Sequence, residues 1–232
     1  MRGLSKESAE RAIGRKIADQ AALEIRNRLL GMAVGAIASI DTPSSDCHIS
    51  DIYVASSTKG KLTFTTLLAA RMLLADNYNR LTTVVMHSNA FSDLVLDGIT
   101  NYTVESLAGM TIISNAANAM GLRIIVCDDP ALRVTCAQDY VKYHTLLLGP
   151  DALGLIWHRR LHIEAERRLD FEAPYWRILG NHDFAPHLAG MSWNSAANPS
   201  NADLADPSMW DEAYDDHRQV LAAMLTHNVT AD

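Results

Sequence analysis

The chain has 232 residues, is 48% hydrophobic and 20% charged, and carries a formal net charge of −7. That length buries a sizeable core in one compact unit or two lobes, and the composition is that of an ordinary soluble protein. The acidic balance excludes an electrostatic reader of nucleic acid, which would present a basic face. Three cysteines, Cys47, Cys127 and Cys136, are too few and too widely spaced for a disulfide framework or a Cys-x-x-Cys metal site, and read as reduced thiols. The longest nearly apolar run, Leu29 to Ile40, falls far short of the roughly 20 residues a membrane span needs. No signal-peptide pattern follows Met1, so the expectation is a soluble protein used without export.

Ser5 to about Ile40 contains no proline, and Ala9, Ile13, Ile17, Ala21, Ile25 and Leu29 recur every fourth residue. This is the stripe of a helix, with charges such as Glu10, Arg11, Arg15, Lys16 and Glu24 falling mostly off it. About 35 residues at 1.5 Å each give a strut of roughly 50 Å. A helix of that length needs something extended to lie against.

Asp41 to Gly60 is rich in Ser, Thr and Asp and reads as a loop with one short strand at Ile52 to Val54. Thr63 caps a second helix through about Asn77, with Leu67, Leu68, Met72, Leu73 and Leu74 as its expected buried side. Leu81 to Met86 is a β-branched strand, and His87-Ser88-Asn89 turns it into a short helix capped by Ser88 or Asn89. Gly121 leads Leu122 to Cys127, an apolar strand that stops at Asp128-Asp129-Pro130. Strand, helix and strand in this order predict a mixed α/β lobe with both sheet faces covered. After Tyr140 come Tyr143 to Leu148, the turn Gly149-Pro150-Asp151, a strand from Ala152 to Trp157, and a basic, loosely alternating stretch from His158 to Leu169. Arg177 to Met191 leads to Trp193, a short helix within Ala202 to Tyr214 capped by Asn201 or Asp203, and a closing strand over Val220 to Thr226.

Several constellations invite a chemical reading. Gly180-Asn181-His182-Asp183 matches a motif of binuclear metallophosphoesterases, and Asp46-Cys47-His48 supplies an Asp-x-His. Two-metal hydrolysis needs six to eight N and O ligands and a bridging Asp, and the bridging Gly-Asp-x-x-Asp is absent between these segments. His158 and His162 have ligand spacing for one helix face, but Arg159 and Arg160 would repel a cation and no Glu stands between them. The Arg159, Arg160, Arg167 and Arg168 cluster reads as a salt-bridging surface that, in an assembling protein, meets acids such as Asp215 and Asp216 of a neighbour. Met86-His87-Ser88 and Asp128-Asp129 lie at strand ends, where open sheets place active sites, yet Ser88 lacks a Gly-x-Ser-x-Gly elbow. All four tryptophans, Trp157, Trp176, Trp193 and Trp210, fall in the final third and read as core or interface anchors.

Taken in order, five landmarks resemble the major capsid protein of tailed bacteriophages, in the Hong Kong ninety-seven type fold shared with encapsulins and herpesvirus capsids. They are the helix ending Leu29-Leu30-Gly31-Met32-Ala33; Val84 to Ser88 with Phe91 to Leu94; Gly121 to Asp129; Tyr143 to Ala152; and Gly190 to Trp193 running through Asn198 to Ala205 to Trp210 and Asp215-Asp216-His217-Arg218. The resemblance implies an α+β phage capsid fold with a long spine helix, a mixed α/β axial domain and a β-rich peripheral domain. The expected division is 1–60 for the spine helix and start of the peripheral domain, 61–150 for the axial-type domain, and 151–232 for a β-rich return segment. An N-terminal arm and a long β-hairpin, the E-loop, normally precede the spine helix in that family, and are expected to be absent here.

The resemblance implies a structural subunit that assembles with itself into hexamers and pentamers of an icosahedral shell in the virion. It would enclose DNA without reading its sequence, be put together in the host cytoplasm, and meet portal, scaffold and decoration proteins. No membrane partner is expected. It implies no enzyme activity, and no catalytic, cofactor-binding or metal-binding residues are assigned. The alternatives are a metal-dependent phosphoesterase using Asp46, His48, Asn181 and His182, and an encapsulin-like cargo shell.

Overall fold

The computed structural model describes residues 6–40, 48–54, 60–101, 121–136, 141–169, 174–195 and 198–229. The first helix, α1 (Lys6–Ile40), is unbroken over 35 residues. Its two halves do different work. Leu30, Met32, Ala33, Ala36, Ile37 and Ile40 are buried, whereas Ile13 and Leu23 in the first half remain exposed. Of the every-fourth-residue stripe that ends at Leu29, Ala21 is buried and Leu29 packs against the core, while Ile13 is exposed, so the stripe is a buried seam only in part. A run of small residues after Gly31 lets α1 press closely on its neighbours, and Gly35 meets the backbone at Leu204 and Ala205.

The lobe is built on a six-stranded mixed sheet. Its strands are β1 (Ile49–Asp51), β2 (Thr83–Met86), β3 (Arg123–Val126), β4 (Arg133–Thr135), β5 (Val141–Leu148) and β10 (Ala222–His227). The order is β1-β10-β5-β2-β3, with β4 pairing the beginning of β5. β5 and β10 are antiparallel, with Met224 opposite Leu146, while β1 runs parallel to β10 and β2 parallel to β3. The sheet takes strands from each of the stretches 1–60, 61–150 and 151–232.

Two-residue alternation sorts these strands into two cores. Val85, Leu146, Leu148, Ala222 and Met224 join the C-terminal half of α1 in one. Val84, Met86, Leu147, Ala223 and Leu225 join α2 (Phe64–Arg71) and α3 (Ser88–Asn101) in the other. Both faces of the central strands β10, β5 and β2 are thus covered, as their near-continuous apolar runs predict, while Ile125 and Val126 of the edge strand β3 stay exposed among the described residues.

Helix ends depart from expectation in informative ways. Thr63 caps α2 through a reciprocal capping box with Thr66. The α-helix ends at Arg71, however, and continues as a kinked 3-10 segment, Met72–Arg80, with Ala75 at φ 45. Of the expected buried side, Leu67 and Leu74 are buried, while Leu68 and Met72 are exposed. The start of α3 is held from outside the helix: the Ser88 N–H donates to Asp128 Oδ1 at 3.0 Å, and the Asn89 N–H to His87 Nδ1 at 3.2 Å. Neither Ser88 nor Asn89 acts as the expected side-chain cap.

The largest difference from the sequence reading is β6 (Leu153–Leu169) and β7 (Pro174–Leu188), one antiparallel hairpin paired from Leu153↔Leu188 to Leu169↔Pro174. Two register shifts, between Trp157 and Arg159 and between Arg159 and His162, break the alternation. They made the strand read as two unlike pieces. Seventeen residues at about 3.3 Å reach roughly 50 Å, the length of α1. Among the described residues the hairpin pairs with no third strand.

The tail closes the lobe with β8 (Met191–Trp193), α4 (Asn201–Leu204) and β9 (Trp210–Glu212), the last paired antiparallel to β8. Ser200, not Asn201 or Asp203, caps α4 in a capping box with Asp203. The helix is a single turn, followed by a 3-10 turn at Pro207–Met209. Trp210 donates its indole N–H to the Leu204 carbonyl at 3.0 Å and meets Trp193 edge to face at 5.0 Å, which pins the tail to α1.

Candidate functional site

The first half of α1 and the β6–β7 hairpin form an arm that leaves the lobe. Contacts climb in step along both elements. Arg28 lies over the Phe184 ring at 5.7 Å, the His182 Nε2 is 3.8 Å from Glu24 Oε2, and Gly180 sits against Ile17. A Cβ on Gly180 would come within 3.0 Å of the Ile17 Cγ2, so glycine sets the spacing there. His182 stacks on Phe184 at 5.4 Å with ring planes 2° apart, and Trp157 packs on Phe184 at 5.8 Å. At the root of the arm, Arg26 Nε donates to Asp129 Oδ2 at 3.2 Å, and that carboxylate is only 1% exposed. The tie joins α1 to the loop after β3.

Apolar side chains remain open along this arm. Ile156 is 57% exposed and Leu179 46%, with Ile13, Leu23, Trp157 and Ile163 also open. Both strands of the hairpin present unpaired edges among the described residues. Exposed apolar groups and open strand edges on a projecting arm are features of a surface made to be covered.

The residues with catalytic spacing do not converge. Asp46 lies outside the described residues, as does Cys47. His48 is fully buried at the sheet, where its Nδ1 meets the Ala222 carbonyl and its Nε2 lies 3.2 Å from His217 Nδ1. Asn181 and His182 are consecutive strand residues and part to opposite faces. His182 faces Glu24 on α1, while Asn181 shares an outer hollow with Arg159, His162, Glu164 and Leu179. The phosphoesterase reading fails on this geometry. His158 and His162 separate in the same way, His158 opening on the cleft beside α1 and His162 lying 3.2 Å from Glu164.

The strand-end cluster does come together, but as a helix start. Asp128 Oδ1 lies 3.6 Å from His87 Nδ1, and Ser88 Oγ is 3.5 Å from that same nitrogen. A nucleophile, base and orienting acid need the two imidazole nitrogens to face different partners. Here Nδ1 also accepts the Asn89 N–H, so it holds no proton for Asp128. Hydrogen bonds from Ser88 keep the Asp128 carboxyl below the usual carboxylate range. Burial pushes the Cys127 thiol up, away from thiolate chemistry. No group of three or more His, Cys, Asp or Glu among the described residues could hold a metal ion. No described helix is long and apolar enough to cross a membrane.

The Arg cluster divides too. Arg159 Nε is 3.6 Å from Asp183 Oδ2, both exposed, and Arg160 is exposed nearby. The side chains of Arg167, Arg168 and Trp176 lie outside what is described. What sequence reasoning missed is the pairing of Glu24 with Arg28 one turn apart at 3.1 Å, and their meeting with His182. The i,i+4 spacing was a readable signal, but its partner lay about 150 residues away on an unrecognised hairpin.

A lobe with a long arm that keeps apolar side chains and strand edges open among the described residues has the form of a building block. The protein is a structural component of a virus shell. The chain belongs to the Gp13-like family, described as major capsid protein 13-like, whose model matches residues 1–222. It is a phage major capsid protein with an α+β fold, and its place is the virion. A comparison with curated proteins finds no match.

Proposed function

We propose that this chain is the repeating subunit of an icosahedral phage head of the Hong Kong ninety-seven type, assembling into hexamers and pentamers. In this reading α1 is the spine helix, and its first half with the β6–β7 hairpin belongs to the peripheral domain. The six-stranded sheet with α2 and α3 is the axial domain at the capsomer centre. The observation that carries it is the arm of roughly 50 Å whose Ile156, Leu179, Ile13 and Leu23 stay open, because a monomer has no use for such a surface.

The subunit performs no catalytic step in this reading. It encloses DNA through shape, and its net charge of −7 keeps it from holding the duplex electrostatically. Assembly takes place in the host cytoplasm, and portal, scaffold and decoration proteins are its expected company. The test is sedimentation velocity and negative-stain microscopy of the purified full chain over a concentration series. Rings of five or six subunits, or closed particles, are the expected result. A monomer at every concentration would overturn the reading.

A further inference from the structure

The helix α2 is apolar on both of its sides. Phe64, Leu67 and Ala70 face the core, whereas Thr65, Leu68, Ala69 and the Met72 that follows line the opposite side, with Leu68 43% and Met72 52% exposed. These outer positions keep the i, i+3, i+4, i+7 spacing of a stripe that packs against a partner. Of the eight residues of α2 only Arg71 is charged, and it is buried, its Nε donating to the Tyr78 carbonyl at 2.8 Å. A helix without a charged side belongs in an interior. Among the described residues the outer stripe nevertheless stays open, and the first charges beyond its ends are Lys61 before it and Asp76 after it.

The lobe carries a second open apolar surface at its other border. α2 packs on β10 and β1, whereas β3 ends the sheet beyond β2. Ile125 is 39% and Val126 45% exposed, and as consecutive strand residues they stand on opposite faces, so this border is apolar on either side. Among the described residues β3 pairs with β2 alone, which leaves one backbone edge open, and a helix is one of the covers such edges take. Arg123 begins the strand and Asp128 follows it, both exposed and about 17 Å apart at 3.3 Å per residue. Asp128 holds the Ser88 N–H through Oδ1, yet its side chain is 63% exposed. The side chains of Lys61, Asp76 and Arg123 take no hydrogen bond or ion pair among the described residues.

We propose that the outer stripe of α2 in one copy of the chain covers the β3 edge of the next copy. The inference rests on the capsid reading and names the faces by which neighbouring lobes meet. Laid antiparallel on that strand, the helix brings Lys61 to Asp128 of the next copy and Asp76 to its Arg123. Leu68 and Met72 then close on Ile125 and Val126 between the two ion pairs. The stripe from Thr65 to Met72 is about 10 Å long, and the Lys and Arg stems bridge the remainder of the strand's length. Copies that each carry a net charge of −7 repel one another as wholes, and this contact joins them where each side offers one charge of either sign. Two different patches meet, so the contact is head to tail, and repeating it by a fixed rotation closes a ring.

The experiment uses the full chain as wild type, Leu68→Gln with Met72→Gln, Asp76→Arg, Arg123→Asp, and the last two together. Glutamine keeps helix propensity and bulk while removing the apolar surface. Sedimentation velocity over a concentration series reads assembly, and urea unfolding below the assembly concentration reads the free subunit. The glutamine variant and each charge reversal are expected to raise the concentration needed for assembly at least about tenfold, and the double reversal to recover most of the loss. The urea midpoint of the free glutamine variant is expected to equal that of the wild type. A midpoint that falls means that the subunit's own chain covers the stripe, and overturns the contact. If the wild type assembles and the variants assemble at the same concentration, the contact is overturned and the capsid reading stands. Loss in both single reversals without recovery in the double one also overturns it. A wild type that never assembles overturns the capsid reading itself, and this contact with it.

Discussion

At the residue scale the most consequential side chains are the buried histidines of the sheet. His144 Nδ1 lies 3.3 Å from Thr226 Oγ1, and His227 Nε2 lies 2.9 Å from Thr145 Oγ1 with Nδ1 donating to the Asn228 carbonyl at 2.9 Å. Burial first, and then the charge of Lys142, lower the His144 pKa from 6.5 to about 4. Burial lowers that of His227 as well. Both rings are therefore neutral in the folded lobe while the unfolded chain protonates near 6.5. Their contribution to stability is fully present above pH 6.5 and is lost as pH falls through the window toward 4. For His144 alone the loss by pH 4.5 is on the order of 2 to 3 kcal/mol. The urea midpoint should fall across that window, and His144→Gln should flatten the fall; an unchanged slope in the variant would count against it. None of this was legible in the sequence. His144 and His227 look like solvated polar interruptions of apolar strands until β5 and β10 are seen paired, with His144 opposite Thr226.

At the element scale α1 supplies an internal comparison. A Cβ at Gly35 would lie 2.6 Å from the Leu204 carbonyl oxygen and 2.8 Å from the Ala205 carbonyl carbon, both backbone atoms that cannot yield cheaply. A Cβ at Gly31, one turn earlier, meets nothing within 4 Å. Gly35→Ala should destabilise by about 1 to 3 kcal/mol through overpacking, and Gly31→Ala should stabilise by about 0.5 to 1 kcal/mol through helix propensity. Denaturant unfolding checks both, and equal signs would refute the packing described for α4. The long helix itself was plain in the sequence from its proline-free length. Its buried face was not, because one and the same stripe carries the exposed Ile13 and the buried Ala21, and periodicity does not say which partner covers a stripe. The hairpin escaped for a different reason. Its register shifts at Trp157 to His162 destroy the period of two that marks a strand, and its faces are covered by a helix on one side and, among the described residues, by no further element on the other.

At the scale of the whole molecule the sheet was readable because its strands are apolar on both faces, and the order of landmarks through the tail pointed to the capsid class to which the family match assigns the chain. The site was less readable, since Glu24, Arg28, His158 and His182 come from two elements far apart in the sequence. Arg159 and Arg160 are exposed on the hairpin, which makes them natural first cuts for trypsin in the free subunit. Assembled particles should protect these bonds, so the fragment ending there should vanish as assembly proceeds. Equal cleavage in rings or particles and in free subunits would place the hairpin outside the contacts between copies.

The unpaired edges of that hairpin also bear on timing. Among the described residues this ribbon of two strands rests on one helix and leaves backbone donors and acceptors open along its edges, and an extended peptide can satisfy them. Each newly made subunit is therefore in a race, in which joining the lattice competes with misdirected strand pairing and with degradation. The rate of synthesis, by setting how many correct neighbours are at hand, decides the yield of shells as much as the stability of any finished contact does.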